Sequence, residues 1–170
     1  AYIDVHAPSD AETQKNAAER IALEEYFILV SAFRFIKGDR QQIRINQYSC
    51  TAADMREFIS RFGFEFTDGQ KNAVNDIFSD LSSPRSMNRL LQGDVGSGKT
   101  AVALCAIYTA VKSGYQAAML APTEILAEQN YKIISRLFPE YEVVFLSGSI
   151  KAAEKKAIKA RIKSGEARIV

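Results

Sequence analysis

Gly93-Asp94-Val95-Gly96-Ser97-Gly98-Lys99-Thr100 meets the pattern G-x-x-x-x-G-K-[ST] at every position. These residue types answer one physical need. Glycines without side chains let successive backbone N–H groups point inward at the oxygens of a phosphate, and a helix starting at the end of the loop adds a favourable field. Lys99 then brings a positive charge to the β and γ phosphates of a nucleotide, and the Thr100 hydroxyl is a ligand for the Mg²⁺ that bridges them. The setting the pattern requires is present on both sides. An apolar run from Met87 to Leu91 reads as a strand, and the stretch through Tyr108 to about Lys112 reads as a helix. A plain glycine turn with Lys99 a solvated cation needs none of this agreement. We therefore expect residues Gly93, Asp94, Val95, Gly96, Ser97, Gly98, Lys99 and Thr100 to hold ATP, with Lys99 and Thr100 as the catalytic groups and Thr100 as the Mg²⁺ ligand.

Working outward, the pattern from Phe64 alternates helix and short strand, the mark of an α/β fold with a parallel sheet and flanking helices. Thr67 and Gln70 have the spacing of a capping box, opening a helix that carries Ala73, Val74, Ile77, Phe78 and Leu81 and ends at Ser82-Ser83-Pro84. Beyond the glycine loop and its helix we expect a strand near 116–120, a helix from Pro122 to Leu137, a strand near 143–146, a helix near 151–163 and a strand starting at Ala167.

Upstream, Ser9 and Glu12 share the capping-box spacing after Pro8, and no breaker interrupts the helix they would open before Lys37, with Gly38 as its stop. The second half of that helix is apolar almost all round and requires a cover. Residues 39–50 are polar and without period, a linker. Thr51 and Asp54 cap a further short helix that places Met55, Phe58, Ile59 and Phe62 on one face and closes at Gly63. The division expected is a helical linker region over 1–62 and a nucleotide-binding domain over 63–170.

The chain has 170 residues, room for one ordinary domain. A net charge of +2 and 25% charged residues point to no class of partner on their own. Cys50 and Cys105 stand far apart and read as buried hydrophobes or surface thiols in a reducing cytoplasm, not as a disulfide framework. The single His6 assembles no metal site. The longest apolar run, near Tyr26 to Ile36, is broken by Arg34 and falls short of a membrane span.

Two further stretches carry chemistry. In Phe64-Glu65-Phe66-Thr67-Asp68-Gly69-Gln70 the cap accounts for Thr67 and Gln70, yet a Gln amide also offers a donor and an acceptor together, matching adenine's N6 and N7 edge. Ala121-Pro122-Thr123-Glu124-Ile125-Leu126-Ala127-Glu128-Gln129 starts a helix in which Ile125, Leu126 and Ile133 would pack on the sheet, and its N-terminus also suits a DNA phosphate.

Taken together, residues 91–100, Ala121 to Gln129 and Leu146-Ser147-Gly148-Ser149 resemble the RecG family of bacterial branch-migration helicases, within superfamily 2, along nearly the whole chain. The glycine loop alone would also fit a transcription-repair coupling translocase or another P-loop enzyme such as a kinase. The resemblance implies a RecA-like P-loop NTPase domain, incomplete in this chain, preceded by a long N-terminal helix, and ATP-driven movement on double-stranded or branched DNA in the bacterial cytoplasm, with no membrane. It assigns Phe64, Thr67 and Gln70 to adenine, and Thr123, Ser147, Gly148 and Ser149 to the DNA backbone. Where the family commonly has Thr-Gly-Ser, this chain has Ser147-Gly148-Ser149, which keeps the hydroxyl. In the family the acidic residues needed for hydrolysis follow the strand that begins at Ala167, so this polypeptide is expected to bind nucleotide weakly, without efficient turnover, and to be prone to self-association. Residues 151–170 hold seven basic side chains against Glu154 and Glu166, and Lys151, Lys155, Lys159 and Lys163 share one helix face. A solvated face explains this run more simply than a DNA track does.

Overall fold

A computed structural model describes residues 1–38 and 48–170, which divide into two compact units, Ala1–Ile43 and Arg44–Val170. The stretch expected as a linker, 39–50, lies largely outside the described residues.

The first unit holds α1 (Tyr2–His6) and α2 (Ala11–Gly38). The cap of α2 is Asp10 rather than Ser9. Asp10 Oδ1 accepts the Thr13 amide at 2.7 Å, while the Ser9 hydroxyl meets the Asp10 carboxylate and the Thr13 hydroxyl and no helix amide. A carboxylate is the stronger acceptor for a free helix amide, and the Thr13 backbone bond also holds the Asp10 carboxyl below its usual range. Tyr26, Phe27, Ile28, Phe33 and Phe35 on α2 are exposed. No described helix is long and apolar enough to cross a membrane.

The second unit contains α3 (Ala52–Ser60), α4 (Asp68–Ser82), α5 (Lys99–Lys112), α6 (Glu124–Leu137) and α7 (Ala152–Ser164). Both expected capping boxes form: Thr51 with Asp54 at the head of α3, and Thr67 with Gln70 at the head of α4. Gly165, with φ 80°, ends α7 in the left-handed conformation that suits glycine.

Helix α5 is the centre of this unit because it is apolar on nearly every side. Val102, Leu104, Cys105, Tyr108 and Val111 are all buried. α3 and α4 both pack on it, so α3, assigned from sequence to the helical region before residue 63, belongs to this core. Phe58 of α3 stacks on Tyr108 at 4.2 Å between ring centroids and tilts against Phe138 at 4.8 Å. Arg61 closes the edge of the cluster, donating to the Leu137 carbonyl at 2.9 Å and pairing with Glu140 at 2.8 Å. Cys50 and Cys105 are free and buried, and burial pushes the Cys105 thiol up to about 12.

The parallel sheet expected from the alternation exists here as isolated pairings only, with no continuous strand among the described residues. Ile169 stands between Ala117 and Val143, bridged to each in parallel. The Ala117 amide donates to Arg168 O at 2.9 Å, Val170 N to Ala117 O at 3.0 Å, and Val144 N to Ile169 O at 2.9 Å. The segment 87–91 runs without a bridge, although Met87 and Leu91 pack on the core and Leu90 is 87% exposed. Apolar patterning favours a strand, but a strand exists only through hydrogen bonds to a neighbour, and no described segment supplies them at 87–91. The pairing of Ile125, Leu126 and Ile133 with a sheet also fails: Ile125 is 72% exposed, and Ile134 and Leu137 are the residues α6 buries.

Candidate functional site

The glycine loop ends where α5 begins. Gly98 is the N-cap, at φ 79°, and Gly96 lies at φ 83°, both in the region that side chains avoid. The left-handed turn at Gly98 opens α5, whose first amides have no acceptor within the helix, so a phosphate at this end would gain from the helix field. A side chain on Gly98 would also collide with the Gln70 amide, and one on Gly93 would come within 2.8 Å of Ser97 Oγ. The loop is thus closely packed at both of its ends.

Lys99 Nζ donates to the carbonyls of Gly93 and Asp94, both at 2.6 Å. The ammonium therefore sits inside its own loop, held by neutral acceptors. A triphosphate offers charged oxygens instead, so Lys99 has two hydrogen bonds to transfer and a third donor in reserve. The Thr100 side chain is exposed at the first turn of α5 and has no protein partner among the described residues. A hydroxyl so placed fits a Mg²⁺ ligand. Val95, at the crest of the loop, is fully exposed.

Beside the loop lies a cavity of about 240 Å³ lined by Thr67, Gln70, Gly93, Ser97 and Lys99, together with Leu91, Gln92, Ala73 and Val102. Gln70 joins its two halves. Its Oε1 accepts the Thr67 amide at 2.9 Å, and its Nε2 donates to Ser97 O at 2.9 Å. An amide has two donor protons and two lone pairs, so one of each remains for an adenine edge. The link from Gln70 to Ser97 spans 27 residues and is invisible to any local pattern. Leu91, Gln92, Ala73 and Val102 were not assigned to the site from sequence; the apolar members carry no signal for it apart from their place beside the loop.

Phe64 is the member the structure does not bring to this cavity. It is half exposed and belongs to an aromatic group with Phe62 and Phe66, stacked on Phe66 at 5.7 Å and 16°. Phe64 and Phe66 border a separate groove of about 630 Å³ between α3 and α4, lined also by Met55, Arg56 and Lys71. The alternation that marks Phe64 and Phe66 is satisfied by ring-on-ring packing.

The expected DNA contacts form a second cluster. Thr123 caps α6, its Oγ1 accepting the Leu126 amide at 3.3 Å, which leaves the hydroxyl proton free to donate. Ser147 and Ser149 lie 3.0 Å apart and both donate to Oε1 of Glu124, Ser147 at 2.7 Å. These two bonds, that from Ser149 the larger in effect, hold the Glu124 carboxyl below its usual range. Glu124 was read only as part of its motif; its partners lie 23 and 25 residues away, a distance no sequence spacing reports. Among the described residues no group of three or more His, Cys, Asp or Glu could hold a metal ion.

The chain is similar to known proteins along nearly its full length. The pattern of the DEAD/DEAH box helicase family matches residues 67–170, from the cap of α4 to Val170. The chain is 40% identical over 167 residues to the ATP-dependent DNA helicase RecG of Bacillus subtilis (strain 168), covering 95% of this chain and 24% of that protein. It is 38% identical over 172 residues to the ATP-dependent DNA helicase RecG of Thermotoga maritima, covering 100% of this chain and 22% of the relative. A solved structure of RecG bound to a three-way DNA junction superposes with a TM-score of 0.79 at 37% identity, over 99% of this chain and 24% of that one. The chain spans about a quarter of the length of these relatives. With more than half of its residues matched by the family pattern and similarity to RecG helicases along nearly its full length, this chain belongs to the DEAD/DEAH box helicase family.

Proposed function

We propose that this chain is the ATP-binding portion of a RecG-like DNA helicase or translocase, and that the full-length protein couples ATP hydrolysis to branch migration and fork regression in DNA repair and recombination. The observation that carries the reading is the glycine loop at the head of α5, with the Lys99 ammonium gathered on the Gly93 and Asp94 carbonyls at 2.6 Å. In this reading Gly93 to Gly98 supply amides to the phosphates and Lys99 moves from its carbonyls to the β and γ oxygens. Gln70 meets adenine with its spare donor and acceptor while Thr67 holds the cap that aims it. Thr100 would hold Mg²⁺, which would supply positive charge against the phosphates during transfer. Thr123 and the turn Ser147-Gly148-Ser149 serve the DNA backbone, a role that fixes register without reading sequence.

The relatives are named as DNA helicases, and the similar solved structure is of RecG on a three-way junction, which makes branched DNA the partner to test first. The decisive assay is ATP turnover by the full-length protein and by this chain, each with no DNA, with linear duplex and with a three-way junction. Junction-stimulated turnover by the full-length protein supports the reading. Phosphate transfer to a small metabolite, or turnover indifferent to DNA, overturns it.

A further inference from the structure

We propose that Glu124 is a positioning residue for the DNA backbone: it ties the turn Ser147-Gly148-Ser149 to the first residue of α6, so that this turn and the Thr123 cap present one preformed surface to a phosphate. The inference rests on the DNA-binding reading above and adds a residue that it does not assign.

Ser147 and Ser149 flank a glycine, so nothing local holds their hydroxyls on one side of the turn. Both hydroxyls nevertheless converge on a single carboxylate oxygen, Oε1 of Glu124, and meet each other at 3.0 Å. Glu124 is the first residue of α6 and follows Thr123, whose Oγ1 is engaged with the Leu126 amide. A phosphate oxygen only accepts, so the groups available to it are those with a proton to give. On Thr123 that is the hydroxyl. On the turn the serine protons are committed to Glu124 or to the neighbouring serine, and the backbone N–H groups of Gly148 and Ser149 meet no acceptor among the described residues. Glu124 thereby fixes the turn through its side chains and leaves its main chain free to donate. Its carboxyl, held below the usual range by these bonds, stays ionised at neutral pH and keeps its full accepting strength.

A simple charge argument predicts the opposite sign. A carboxylate beside a phosphate repels it, so removing Glu124 should then tighten DNA binding. The two accounts separate cleanly in the full-length protein, with a three-way junction as the probe. Positioning predicts that Glu124→Ala weakens junction binding by about tenfold, the scale of losing hydrogen bonds to a charged acceptor. Glu124→Gln, which keeps an acceptor oxygen but no charge, should recover most of that affinity. In a Ser147→Ala, Ser149→Ala background, Glu124→Ala should cost little more, because the turn has already lost its tether. Glu128→Gln, one turn along α6 and paired with Lys132 at 2.8 Å, controls for loss of charge from this helix. Tighter binding by Glu124→Ala, or a Glu124→Gln variant no better than Glu124→Ala, overturns the positioning role even when junction-stimulated turnover by the unaltered protein upholds the helicase reading. Failure of the unaltered protein to bind the junction overturns both.

Discussion

Replacing Lys99 by alanine tests the nucleotide seat most directly, because the structure shows what the lysine gives up in order to bind. Its ammonium makes two hydrogen bonds to neutral carbonyls, those of Gly93 and Asp94, at 2.6 Å each. The ammonium is charged in both settings, so what phosphate adds is the attraction between opposite charges, about 1–4 kcal/mol for one pair at about 4 Å between water-like and protein-surface screening, or at least about fivefold in affinity. Lys99→Ala loses that difference and also frees the two carbonyls, which are exposed enough to find water. Calorimetric titration of Mg-ATP into the unaltered and variant proteins reads the ratio, and far-UV dichroism with thermal unfolding checks that α5 and its core remain folded. A variant that binds Mg-ATP within about twofold of the parent would refute the reasoning, since the ammonium would then have no role at the phosphates.

Three further outcomes follow from the geometry. Gly98→Ala should weaken Mg-ATP binding by about tenfold and lower the melting temperature, since a φ of 79° costs a side-chain-bearing residue about 1–2 kcal/mol and the new methyl displaces the Gln70 amide; an unchanged dissociation constant would show that the Gln70 to Ser97 link is dispensable. Asp54 is held at about 2 chiefly by its side-chain bond with Thr51, then by the Thr51 amide and Lys112. Because its folded value lies below the ordinary 3.8, its contribution is complete above pH 4 and disappears as pH falls towards 2. The stability gap between parent and Asp54→Asn, read from urea midpoints at pH 5, 4 and 3, should therefore narrow on acidification, and a constant gap would exclude the carboxylate as its source. The exposed rings of Phe27 and Phe33 on α2 should drive self-association that rises with concentration and falls in a Phe27→Ser, Phe33→Ser variant; light scattering that reports a monomer at every concentration would count against it.

What could be read in advance divides along the range of the interactions concerned. The caps at Thr51 and Thr67 need only a side chain and an amide a few residues apart, so spacing alone was enough for them. At the head of α2 the same logic chose Ser9 where Asp10 holds the amide, because two competent acceptors stand side by side and only their geometry separates them. The stretch ending near Lys112 could be read as a helix, but nothing local showed that α3 would join its core through Phe58, or that Phe64 would face a different groove from Gln70.

The residues of the loop from Gly93 to Thr100 by themselves determine the turn proposed to seat a phosphate, since backbone freedom at Gly96 and Gly98 and a lysine at the start of a helix are local properties. Tertiary structure alone decided that Gln70 reaches Ser97, that Glu124 gathers Ser147 and Ser149, and that Ile169 pairs with Ala117 and Val143 while residues 87–91 remain unpaired. Each of these joins groups more than twenty residues apart. Such contacts depend on how helices and extended segments pack once the chain has collapsed, and no fixed spacing in the sequence encodes that distance.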